Sequence, residues 1–143
     1  MTPARSATVA LLVLAALTAC GSDQDRYCDA VESHQEELSG IAAEEGRVFD
    51  SLPIWRDLQQ QAPRDIEAEW GVVVDALEGL HDVVEAAGVD EDYDAEDPPP
   101  GVSEDQQQAI SRAAARLGGE RVVTAMASLE QHALDVCGTP LSR

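Results

Sequence analysis

The side chains able to do chemistry are few and grouped. Asp90, Asp92, Asp94 and Glu96 alternate along one segment, the spacing of oxygen ligands in the first half of a calcium loop. An EF-hand loop also needs glycine at its sixth position and a bidentate glutamate at its twelfth. Those places hold Ala95 and Gly101, so the segment is not an EF-hand. The four carboxylates stand as a candidate loop site for Ca²⁺ or Mg²⁺, against the plainer reading of a solvated acidic turn. His34, His81 and His132 fall on three different helical stretches. Zinc between helices would need them to converge, yet only His34 lies on an apolar stripe. Glu78 and His81 give the Glu-x-x-His spacing once, where a two-metal bundle needs it twice. The expectation is histidines packed at the core boundary, with no metal centre and no cofactor. No serine sits in a nucleophile elbow, and no phosphate loop or dinucleotide glycine pattern occurs. Carboxylate pairs carry no information in a chain with 28 Asp and Glu. The reading is a non-catalytic protein.

Cysteine chemistry is more definite. Arg5 and the amino terminus precede an apolar run from Ala7 to Leu17, the length of a signal-peptide core and too short to span a bilayer, which needs roughly 20 residues. Leu17-Thr18-Ala19-Cys20 then resembles a bacterial lipobox. That resemblance implies acylation of the Cys20 thiol, removal of residues 1–19, and an anchored protein on the outer face of the cell membrane. Cys28 and Cys137 remain. Two cysteines in an exported chain permit one disulfide, here between positions near the two ends of the mature chain.

The elements that must position these groups read as helices. Tyr27, Val31, His34, Leu38 and Ile41 step by four and three, one face of a helix from about Asp25 to Glu45 that Gly46 stops. Residues 46–62 form a connector with one short helix, Ser51 as its cap and Pro53 in its first turn. Pro63 is expected to start the clearest helix, with Ile66, Trp70, Val73, Leu77, Leu80, Val84 and Ala87 as its stripe and Gly88 as its end. Residues 89–102 are an acidic, proline-rich loop. Ser103 and Gln106 stand in capping-box spacing, ahead of Ile110, Ala113 and Leu117. Gly118-Gly119 breaks the pattern before a last stripe of Val122, Met126, Leu129, Ala133 and Val136, which Gly138 and Pro140 close.

Composition sets the partner class. The formal charge is −19 without a single lysine, and removing the segment that holds Arg5 makes it one more negative. Nucleic-acid binding needs a basic stripe and is excluded. Arginine in place of lysine suggests a GC-rich, actinobacterial source.

Several short motifs carry a family resemblance: Tyr27-Cys28 after the lipobox, Ala62-Pro63 leading to Glu69-Trp70, Gly88-Val89-Asp90, and the run from Gln131 to Gly138. Together they resemble a family of small actinobacterial lipoproteins and secreted proteins. The resemblance implies export and a helical fold, and no activity.

The expected protein is all-α: residues 1–19 a lipoprotein signal, 20–25 a polar tether, and 26–143 one helical domain. Its architecture is an up-down four-helix bundle with an extra connector helix, the first and last helices joined by Cys28–Cys137. In that topology the lipid, the disulfide and the acidic loop share the membrane-proximal end. The connector, with Phe49, Pro53 and Trp55 as candidate partner surface, lies at the distal end.

Overall fold

The computed structural model describes residues 19–43, 48–90, 93–94 and 97–141, with the backbone alone for 19–22 and 41–43. Residues 1–18, which hold most of the expected signal, the Cys20 side chain, Asp92 and Glu96 therefore lie outside the described residues. The described chain is helical and contains no strand. Helix α1 spans Ala19–Ala43, α2 Leu52–Gln61, α3 Glu67–Ala87, α4 Glu104–Leu117 and α5 Glu120–His132. A 3₁₀ turn, Phe49–Ser51, leads into α2, and a π-turn, Ala133–Cys137, continues α5.

Several boundaries differ from the sequence expectation, each for a local reason. The residues read as a tether, 20–25, are helical, since α1 begins at Ala19. An ion pair between Asp23 and Arg26, one turn apart, fastens this opening stretch. Ser51 does not cap α2. Its hydroxyl donates to the Val48 carbonyl and accepts the Trp55 Nε1–H at 2.7 Å, so it secures the 3₁₀ turn and an indole instead. Pro63 opens a turn, its carbonyl accepting from the Ile66 amide at 3.1 Å, and α3 starts four residues later than expected. The capping box of α4 is complete in both directions, with the Gln106 amide on Ser103 Oγ and the Ser103 amide on Gln106 Oε1.

The core follows the stripes. Tyr27 and Val31 of α1, Leu58 of α2, Trp70 and Val74 of α3 and Leu129 of α5 are fully buried. Trp70 Nε1 donates to the Tyr27 hydroxyl at 3.2 Å inside this cluster, which satisfies a buried donor that would otherwise cost free energy. Two contributors break the apolar pattern. Gln35 is buried and donates to the Pro140 carbonyl at 2.8 Å. Leu141, beyond the last helix, folds back and is buried, its amide held by Glu130.

The path of α4 and α5 corrects the expected alternation. Gln106 on the first turn of α4 reaches the Ala86 carbonyl at the end of α3. Arg116 at the end of α4 and Arg121 at the start of α5 both flank Asp75 and Ala76, midway along α3. His132, ending α5, pairs with Asp65 just before α3. The two helices thus lie end to end along α3, and both run against it. Gly118-Gly119 bends the chain without reversing it, and a Cβ at Gly119 would sit 3.1 Å from the Arg116 carbonyl oxygen. The acidic loop leaves α3 at Gly88, while the disulfide lies by the start of α3. A 21-residue helix, about 31 Å long, separates them. The expectation that loop and disulfide share one end is therefore wrong.

Cys28 and Cys137 are bonded, with Cα atoms 5.1 Å apart across 109 residues of sequence. Closing a loop of that size restricts the unfolded chain by about 4.7 kcal/mol in the chain-entropy model. The double variant Cys28→Ser/Cys137→Ser is expected to unfold at lower urea, losing about 3–5 kcal/mol. Equilibrium denaturation followed by circular dichroism measures this.

Candidate functional site

The start of α3 and the length of α5 leave a groove between them. It is open and about 580 Å³, with Asp65, Glu69 and Asp135 among its acidic lining and Ile66, Ala127 and Val136 as apolar lining. The residues come from two segments some sixty positions apart, brought side by side because α5 runs against α3.

His132 is the most enclosed polar group here, its side chain 12% exposed. Its Nε2 lies 3.3 Å from an Asp65 carboxylate oxygen. Its ring meets Tyr27 edge-on at 5.8 Å between centroids. Nδ1 is buried and meets no hydrogen-bond partner among the described residues. From His132 the contacts run through Tyr27 to Trp70 and on to Trp55, whose ring lies 5.8 Å from that of Trp70. These four rings join α5, α1, α3 and α2 in one chain. Their edge-on and tilted packing, with the Trp70–Tyr27 hydrogen bond, explains them as a core junction.

Burial pushes the Tyr27 phenol up from its ordinary 10 to about 12, and the hydrogen bond from Trp70 offsets part of that rise. The nearby charges of Asp65 and Glu130 raise it further.

The sequence-derived candidates are dispersed. His34 bridges Glu37 at 3.3 Å and Asp57 at 3.0 Å, joining α1 to α2. His81 faces the Phe49 ring and lies 3.7 Å from Asp82. With His132 on Asp65, each histidine has its own carboxylate and no two meet. Among the described residues, His81, Asp82 and Glu85 form one group of potential metal ligands on a single turn of α3, two of them exposed. Sequence periodicity put His132 off its stripe, whereas the structure makes it the least exposed of the three.

The acidic loop carries a second concavity of about 570 Å³ lined by Asp90, Tyr93, Asp94 and Asp97 together with Gly88 and Pro100. The Tyr93 hydroxyl is buried there and meets no partner among the described residues. Asp90 and Asp94 are exposed. In the connector, Pro53 is exposed, but Phe49 and Trp55 are half-buried. Trp55 spends its indole N–H on Ser51 and its ring on Trp70, so it helps cover the core.

What sequence reading missed is the outer face of α5. Val123 and Leu134 were assigned to no stripe, and that was the available signal. No helix among the described residues is long and apolar enough to cross a membrane. Comparison of the chain with known protein families, with curated proteins and with solved structures finds no match.

The Tyr27 shift has a definite pH sign. The phenol is held protonated in the folded protein, so the unfolded chain alone ionises as pH rises past 10. Stability present below pH 10 is then lost up to about pH 12, by about 2–3 kcal/mol from this group. Urea denaturation at pH 9 and pH 11.5 should show the fall, and Tyr27→Phe should show a smaller one across the same window.

Proposed function

We propose that this chain is a lipid-anchored module of the cell envelope, of the actinobacterial lipoprotein type, that works by binding rather than catalysis. The lipobox at Leu17–Cys20 carries the localisation. Helical backbone from Ala19 onward supports a rigid attachment: Cys28 lies eight residues, about 12 Å, beyond Cys20. The mature domain then stands on the outer face of the membrane with its disulfide end close to the lipid. Helices α1, α2, α3 and the bent α4–α5 limb make the four limbs of an up-down bundle. In this arrangement the acidic loop points away from the bilayer.

The observation that carries the binding reading is the open groove between α3 and α5, next to an apolar strip left in solvent. The connector surface around Pro53 is the other place a partner would meet. Mass analysis of the exported protein is expected to find residue 20 as the amino terminus, carrying a diacylglyceryl group. Photo-crosslinkers placed at positions 53 and 134 on intact cells are expected to capture an envelope protein from at least one of them. An unmodified Cys20, or no capture from either position, overturns the reading.

A second reading rests on the buried Tyr93 hydroxyl, without a partner among the described residues, beside Asp90, Asp94 and Asp97. Here the loop holds a divalent cation through its carboxylates, with Asp92 and Glu96 in the same run. Millimolar calcium should then raise the melting temperature by several degrees. Asp90→Asn/Asp94→Asn should abolish the rise, and scanning calorimetry distinguishes the two.

A further inference from the structure

Helix α5 presents two unlike faces. The inner one buries Val122, Ala125 and Leu129. The outer one, continued by the π-turn, carries Val123 and Leu134, 58% and 44% exposed, which are the large hydrophobics standing in solvent among the described residues. They are eleven residues, three turns, apart, so they share one side of the helix about 16 Å from each other. Ala127 and Glu130 fall between them on the same side; Ala127 also lines the groove, and the half-buried Glu130 turns its carboxylate to the Leu141 amide. Val123 and Leu134 thus border the groove through Ala127, and the groove is edged by Glu69, Asp65 and Asp135, with Arg121 near Glu69 beyond it.

Carboxylates cover much of this chain, so charge alone selects no place on it. The coincidence of an exposed apolar strip, a concavity and an acidic edge does. Charge then selects the occupant. A second copy of the chain would bring another large negative charge, since each carries −19. An anionic lipid surface would meet the edge carboxylates as like charges. Both are opposed by the same field that attracts a cation.

We propose, building on the binding-module reading above, that this surface receives a cationic amphipathic helix of a partner protein. The helix lays its apolar side chains along Val123, Ala127 and Leu134. Its lysines or arginines meet Glu69, Asp65 and Asp135. This is the helix-in-groove mode, in which apolar contact supplies affinity and the charges set partner choice.

The test uses the exported, disulfide-bonded chain and a synthetic leucine–lysine amphipathic helix of about 18 residues, titrated by fluorescence anisotropy at physiological salt. Val123→Ser/Leu134→Ser is expected to weaken binding at least about tenfold, and Glu69→Gln/Asp135→Asn by a similar factor. A control that removes the same charge from exposed α1 sites, Asp29→Asn/Glu32→Gln, should change it less than about threefold. All these positions are exposed or line the groove, and unchanged melting temperatures verify the folds. Equal weakening by the control and the groove variants overturns the proposal, because binding would then follow net charge. Unchanged affinity in Val123→Ser/Leu134→Ser also overturns it. So does tighter binding of the chain to anionic vesicles than to the peptide, which makes lipid the occupant. Cellular capture through position 53 but not 134 overturns this inference and leaves the binding module standing. Capture through neither removes the module itself.

Discussion

The hydrogen bond from Trp70 Nε1 to the Tyr27 hydroxyl holds the point on which the rest of the molecule turns. It lies two fully buried side chains deep, at the meeting of α1 and α3. One residue past Tyr27, Cys28 is tied to the end of the α5 limb. The same tyrosine ring supports His132, and the same tryptophan supports Trp55. With few aromatics in the chain, two Trp, two Tyr and one Phe, most of that large apolar surface is concentrated at this junction. Small aliphatic stripes fill the remainder. Losing a donor or an acceptor here leaves its partner buried without compensation.

A second constraint is charge. A chain at −19 repels itself, and few cations are available to answer. Those that do form exposed pairs: Arg56 bonds Glu78 across α2 and α3 at 2.6 Å, and Arg26 pairs with Asp23 within α1. Exposed pairs of this kind contribute little individually. Apolar burial and a covalent cross-link therefore hold the fold against its own field.

Much of the helical content was legible because it is local. Trp70, Val73, Leu77 and Val84 repeat within one helix, and Ser103 and Gln106 are three residues apart. The disulfide was legible because exclusion of Cys20 left two cysteines. The relative direction of α4 was not. Gly118-Gly119 is compatible with a reversal or a bend, and the outcome depends on α4 and α5 covering successive stretches of one long α3. Gln35 and Leu141 escaped notice because each answers to a distant segment, Pro140 for the first and Glu130 for the second. The groove was invisible for the same reason, since neither of its walls has a motif. The histidines and the Phe49–Trp55 connector were visible as residues, yet their surroundings, a carboxylate for each histidine and Trp70 for Trp55, arise only in three dimensions.

The two glycines between α4 and α5 also divide the limb into unequal halves. The α5 half is fastened to the disulfide and the ring junction. The α4 half rests on α3 through Ile110 and Ala113, with Gln106 on the Ala86 carbonyl. Such a division sets an order of opening. Amide protons of α4 would exchange with solvent through excursions that leave α5 in place, and those near Leu129 would wait for the whole domain to come apart. A protein built this way frays first at the end carrying its acidic loop and last at the end closed by its disulfide.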